Sequence, residues 1–356
     1  MKSIKKVKTL IKSNIFKESL TLYIGEGMYL VFAMLISMVR PDILGPTAAG
    51  TISYVNSYIT TVATFFTLGS RLTMLAATER KKRYSGITMF IGFVCCAVFA
   101  AFTLLMTGYL FISGQTDAGY MMLSVVPLSG YSILALFAKR CCYATGEMKR
   151  AAWLTCGYSV IYFPIIYLLN GLGVYNGNIA IVSEYSISTI VILISLVGWY
   201  KYIRPSKTLW REIKSENKRF GRKVYLSRII GMPSFNIDTV ILGLYHPMAS
   251  VSYYTLATAI SRPVHMLGNS VSQSMYRRFS GTKEISLKLR AVTDLLMIAC
   301  GFAVWGVGTI VIRHFLGERF SEVLNYLPWM IIIMFIRGAT TPYNQFLQAK
   351  GRGKEV

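Results

Sequence analysis

The chain has 356 residues, 54% of them hydrophobic, and a mean hydropathy of +0.48. An average that high, gathered in long continuous runs, excludes a soluble globular domain and also the ten-residue alternation of a membrane β-barrel. The formal net charge of +23 would suit a nucleic-acid binder, but its distribution along the chain excludes that class as well.

Residues 1–17 hold six lysines, with Ile4, Val7, Ile11 and Ile15 at helical spacing. This pattern predicts an amphipathic basic tail on anionic inner-leaflet lipids, each lysine contributing about 1 kcal/mol. A secretory leader does not fit: the basic region is too long, Glu26 interrupts the apolar run, and no small-residue cleavage site follows. Ten apolar segments come next, each close to the roughly 20 residues that a membrane-crossing helix needs. They are residues 20–39, 46–70, 86–112, 120–138, 151–169, 179–200, 224–245, 247–275, 291–312 and 324–346.

The first is expected to end at Arg40-Pro41, because proline interrupts a helix. The second is rich in polar residues (Ser53, Tyr54, Asn56, Ser57, Tyr58), which bond across helices or line water. The third is uniformly apolar and is expected to face lipid. The fourth and fifth carry Pro127 and Pro164 as kinks, and the sixth carries Glu184 towards its outer end. Residues 201–223 form the longest polar stretch. Leu209, Ile213, Glu216 and Phe220 recur there at helical spacing and predict an amphipathic helix on the inner leaflet. This linker separates a six-helix lobe (residues 18–200) from a four-helix lobe (residues 224–356). The fold class is therefore an all-α polytopic membrane protein.

Of the 38 Lys and Arg residues, 32 lie in the tails and in alternate loops, and the opposite loops hold only Arg40, Arg313 and Arg319. That asymmetry is the positive-inside signature. It predicts a multi-pass protein of the cytoplasmic membrane with both termini cytoplasmic. The six cysteines show no metal-ligand spacing, so neither disulfides nor a metal is expected.

Arg228, Arg262 and Arg337 are the cations inside the spans. A charge at mid-bilayer costs about 2.5–3.5 kcal/mol on insertion scales, so such groups face a cavity or a partner. Glu26, Arg228 and Asp294 lie within about two turns of the inner surface, and Asp238 about 10 Å from the outer end of its helix. Arg262 and Arg337 lie near the centres of the eighth and tenth spans. His265 follows Arg262 by three residues and shares its face, although a lone histidine is more simply a packed one. Pro263 loosens the backbone between them. Two mid-membrane guanidiniums favour an anionic cargo such as a phosphate, pyrophosphate or acidic sugar, because the arginine fork binds phosphate bidentately. An ion pair with Asp238 or Glu184 is the structural alternative. There is no Walker loop, no His-Glu-x-x-His and no Ser/His/Asp set, so an enzyme is not expected.

A weak internal repeat is visible. Residues 44–61 align with residues 245–262, matching Pro46 with Pro247, Ala48 with Ala249 and Ile59 with Ile260, and residues 144–149 align with residues 349–354. A six-helix repeat predicts twelve helices. Only ten are read here, so the second lobe is expected to be truncated at its C-terminal end.

Four motifs then occur in order: Leu-Gly-Pro-Thr-Ala-Ala-Gly at 44–50 followed by Ser-Tyr, Ile-Asp-Thr-Val-Ile-Leu-Gly at 237–243, Ala-Ser-Val-Ser-Tyr-Tyr-Thr-Leu-Ala at 249–257, and Phe-Leu-Gln-Ala-Lys-Gly at 346–351. By these the chain resembles the polysaccharide or O-antigen flippases of the multidrug/oligosaccharidyl-lipid/polysaccharide (MOP) exporter superfamily. The resemblance implies two lobes in a V around a cationic cavity. It implies transfer of an undecaprenyl-diphosphate-linked oligosaccharide, as in O-antigen, capsule or lipopolysaccharide assembly, from the inner to the outer leaflet. Alternating access would be driven by an H+ or Na+ gradient, with polysaccharide polymerase and glycosyltransferases as partners. The cargo headgroup would meet Arg262 and Arg337, Arg228 would aid entry, and Asp238, Glu26, Glu184 and His265 would serve ion coupling or salt bridging. Two alternatives stay open at this point. One is a cation-coupled multidrug exporter of the MATE type, although mid-membrane arginines disfavour cationic drugs. The other is an inactive remnant.

Overall fold

The computed structural model describes residues 14–66, 81–197, 207–216, 236–279, 284–285 and 287–349, and every regular element among them is helical. The helices are α1 (Asn14–Leu44), α2 (Pro46–Phe66), α3 (Lys81–Ile112), α4 (Thr116–Val125), α5 (Tyr131–Thr145), α6 (Met148–Gly171), α7 (Gly177–Leu196), α8 (Lys207–Glu216), α9 (Ile237–Tyr245), α10 (Met248–Phe279), α11 (Leu287–Val311) and α12 (Val323–Ala349). Among the described residues six helices are long and apolar enough to cross a membrane, and seven if α4 and α5 count as one span bent by 44°. That bend falls just after the turn Val126–Leu128, which carries Pro127. The second and eighth expected spans are also long helices, α2 and α10, but their Ser, Thr, Tyr and Asn content keeps them out of that apolar set. Of the seventh expected span, the described part is α9.

Helix α1 runs past the expected stop to Leu44, with Pro41 inside it. Proline removes one helical donor, and the last turn is still closed by the Gly45 N–H donating to the Pro41 carbonyl at 2.8 Å. Gly45 then takes φ +80°, a left-handed conformation that turns the chain directly into α2. The second hairpin repeats this bond 201 residues later: the His246 N–H donates to the Leu242 carbonyl, also at 2.8 Å.

The chain divides into two compact units, one of Met1–Ile36 with Tyr54–Ile241 and one of Ser37–Ser53 with Leu242–Val356. In the first unit, α1 meets α6 along one face. Gly25 lies on Ala152, Tyr29 on Tyr158 with ring centroids 6.1 Å apart, and Phe32 on Phe163 at 5.6 Å. Residues 25, 29 and 32 follow the i, i+4, i+7 spacing of one helical stripe. Helix α3 turns Phe93, Val94, Val98 and Leu105 outward, as expected for a lipid-facing helix.

In the second unit the first turns of α2 and α10 run side by side in the same direction. Gly50 lies against the Met248 carbonyl, which a Cβ at Gly50 would strike, and the Thr255 hydroxyl bonds to the Ser53 hydroxyl at 3.3 Å. Residues at matching places in the two hairpins therefore meet each other, and the last glycine of the motif at 44–50 is the point of closest approach. Beneath them Leu256, Ala257, Ile260, Leu316, Phe320 and Leu327 form a buried apolar cluster.

Helix α8 lies in the linker where helical spacing predicts an amphipathic helix, and its Trp210, Arg211 and Lys214 are exposed.

Candidate functional site

The mid-membrane cations expected on α10 and α12 come together because these two helices cross at glycine. Gly268 faces Gly338 so closely that a Cβ on Gly268 would lie 2.5 Å from the Gly338 carbonyl oxygen. A Cβ on Gly338 would lie 2.6 Å from the Met297 sulfur of α11 and 3.4 Å from the His265 Cα. Small residues at such a crossing let two backbones approach and pack without side chains between them. The consequence is positional. His265 lies one turn before Gly268, and Arg337 immediately precedes Gly338, so the crossing sets Arg337 beside His265. Arg262, three residues before His265 on α10, completes the group, and the imidazole lies in the field of both guanidinium charges.

Arg262 is exposed, while Arg337 and His265 are partly buried. The Arg337 carbonyl accepts from the hydroxyls of Thr340 and Thr341 at 2.9 Å each, bonds that soften the α12 backbone around it. Val264, next to His265, packs with Met297 and Met334 as a buried apolar cluster. Two guanidiniums and an imidazole give this crossing a net positive charge, which suits a phosphate or diphosphate, since guanidinium donors match phosphate oxygens.

Glu184 lies in the first unit, with 8% of its surface exposed. Its Oε2 accepts from the Asn56 Nδ2 of α2 at 3.5 Å, and Tyr158 of α6 lies in its field. The Tyr131 and Tyr185 rings, 4.8 Å apart, join α5 to α7 next to it. Glu26 is exposed on α1 and opposes the charge of Lys139 on α5. Asp238 accepts from the Thr239 N–H at 2.8 Å through its own Oδ1. Arg228 lies outside the described residues. Among the described residues, no three His, Cys, Asp or Glu side chains gather as metal ligands.

Sequence reasoning singled out the charges but not the glycines that bring them together. Gly268 and Gly338 each sit in mid-helix within three residues of a candidate site residue, and that adjacency is the one signal by which they could have been found. Asn56 was noted for its polarity, without its carboxylate partner.

No protein-family model and no curated protein matches the chain. Solved structures that resemble it include the crystal structure of the eukaryotic MATE transporter AtDTX14, at a TM-score of 0.56 and 17% identity, covering 96% of this chain and 84% of that one. They also include the inward-facing conformation of a multidrug resistance MATE family transporter of the MOP superfamily, at a TM-score of 0.51 and 14% identity, covering 94% and 82%. The chain thus has the fold of these transporters.

Proposed function

We propose that this chain is a membrane transporter of the MOP type, and that its cargo is a lipid-linked oligosaccharide carried on a diphosphate from the inner to the outer leaflet of the bacterial cytoplasmic membrane. The observation that carries this reading is the convergence of Arg262, His265 and Arg337 at the α10–α12 crossing. A net positive site inside a membrane-spanning bundle suits an anionic headgroup and opposes a cationic drug. The MATE-like fold supports the transport part of the reading, since a polar site midway along spanning helices is what alternating access requires. In this reading an H+ or Na+ gradient drives the cycle, and Glu184, a buried carboxylate, takes part.

The test is an Arg262→Ala, Arg337→Ala double variant in cells lacking the chromosomal copy. Membrane abundance is checked by immunoblot. Surface glycan is expected to fall by about tenfold or more, as loss of two charge-assisted contacts dictates. Normal glycan export by the double variant removes the cationic site from the reading. The second reading, multidrug export, is favoured by the MATE transporters that share the fold. Under it, deletion of the gene leaves surface glycan unchanged and sensitises the cells to cationic dyes.

A further inference from the structure

Where the ends of α10, α11 and α12 meet, a shallow, mostly apolar recess lined by Val271, Ala339 and Pro342 carries Arg290, Asp294 and Tyr343. Arg290 reaches Asp294 one turn later through a single Nε–Oδ2 contact of 3.6 Å, and its guanidinium lies over the Tyr343 ring at 5.4 Å from the centroid. A contact that long differs from a closed two-bond fork: among the described residues, guanidinium donors and carboxylate lone pairs remain for a third group. The side chains of Arg290 and Asp294 are 54% and 28% exposed, so both are reachable.

The depth of the recess follows from the helices that carry it. Arg290 opens the span Arg290–Leu316, and Tyr343 is next to the end of the span Val323–Asn344. Both therefore stand where hydrocarbon gives way to headgroups, the depth at which tyrosine is enriched. Just beyond Arg290, α11 leaves Val292, Leu295, Leu296 and Phe302 exposed, an apolar face on which acyl chains can lie. Charge then selects the ligand. Arg290 and Asp294 sum to zero, so an anion gains from one and loses to the other. A headgroup with a phosphate and an ammonium satisfies both. A quaternary ammonium has no N–H to donate to the carboxylate, and the Tyr343 face is already occupied by Arg290.

We propose that this recess binds the headgroup of a zwitterionic phospholipid with a primary ammonium, its phosphate on Arg290 and its ammonium on Asp294, its chains along α11. The site is distinct from the Arg262/Arg337 site, where the charges add rather than cancel, and it holds whatever the transported cargo is.

The experiment is native mass spectrometry of the purified chain exchanged into mixed micelles with equimolar phosphatidylethanolamine, phosphatidylglycerol and phosphatidylcholine. The wild type retains phosphatidylethanolamine in preference to the other two, and Arg290→Gln reduces that retention about fivefold, the worth of one exposed ionic contact. Asp294→Asn leaves an uncompensated Arg290 and shifts preference to the anionic phosphatidylglycerol. The exchanged pair Arg290→Asp, Asp294→Arg recovers phosphatidylethanolamine retention, which loss of folding does not allow. Wild-type preference for phosphatidylglycerol, or the same lipid ratios in the wild type and both single variants, overturns the proposal.

Discussion

Gly45 and Gly50, five residues apart, are required for different reasons. At Gly45 the backbone is left-handed and nothing lies within 4 Å of an added Cβ. Gly45→Ala thus carries only the conformational penalty, about 1–2 kcal/mol, and lowers the thermal unfolding temperature modestly in detergent. At Gly50 an added Cβ strikes the Met248 backbone, which cannot move aside as a side chain tip can. Gly50→Ala is expected to be the more damaging of the two, and equal melting temperatures for the two variants would contradict this account. A third residue-scale expectation concerns Cys142, which follows the fourth span. Burial pushes its thiol up to about 12, with the Glu147 carboxylate adding to the effect and Arg150 partly opposing it. A raised thiol pKa keeps the thiolate scarce below that range. Site-resolved mass spectrometry is expected to find Cys142 unalkylated by maleimide at pH 8 in the folded protein and alkylated after unfolding. That the chain breaks between its first two spans was legible from proline, but the break was expected at Arg40-Pro41 and falls at Gly45 instead. The burial of Cys142 was not legible, because neighbours from other helices create it.

At the scale of elements, the α10–α12 crossing carries both packing and site. Gly268→Val forces the two backbones apart, at a cost of about 1–3 kcal/mol for overpacking, and moves Arg337 away from His265. The expected outcome is a lower unfolding temperature together with a loss of glycan export, at a position that is itself uncharged. Gly268→Val with full export would show that the crossing does not position the site. The amphipathic helix in the linker was visible as a period in the sequence, and α8 occupies part of that stretch. The crossing left no such trace, because helices meet at one point and a single small residue has no periodicity. For the same reason the Glu184–Asn56 contact between α7 and α2 was invisible: its residues are 128 positions apart. Glu184→Gln leaves an acceptor for Asn56 while removing the charge. In the proposed reading it uncouples export from the ion gradient at unchanged membrane abundance, and export with unaltered gradient dependence would exclude Glu184 from coupling.

On the scale of the whole molecule, the basic loops predict an orientation that reporter fusions can read. Alkaline phosphatase fused after Gly114 or Gly317 is expected to be active, and fused after Lys149 or within residues 207–216 inactive; the reverse pattern would invert the topology. Hydropathy and charge placement determined the all-helical class and the expected direction of its spans. These quantities sum along the chain, because each helix satisfies its own backbone in lipid and each loop is sorted by its own charge. Tertiary structure alone decided that Ser37–Ser53 belong with the second unit, that equivalent turns of the two hairpins lie against each other, and that Arg262 and Arg337 converge on one histidine. Those outcomes depend on helix phase and on how closely two backbones approach. Both are set by contacts between residues far apart in sequence, such as Gly268 on Gly338.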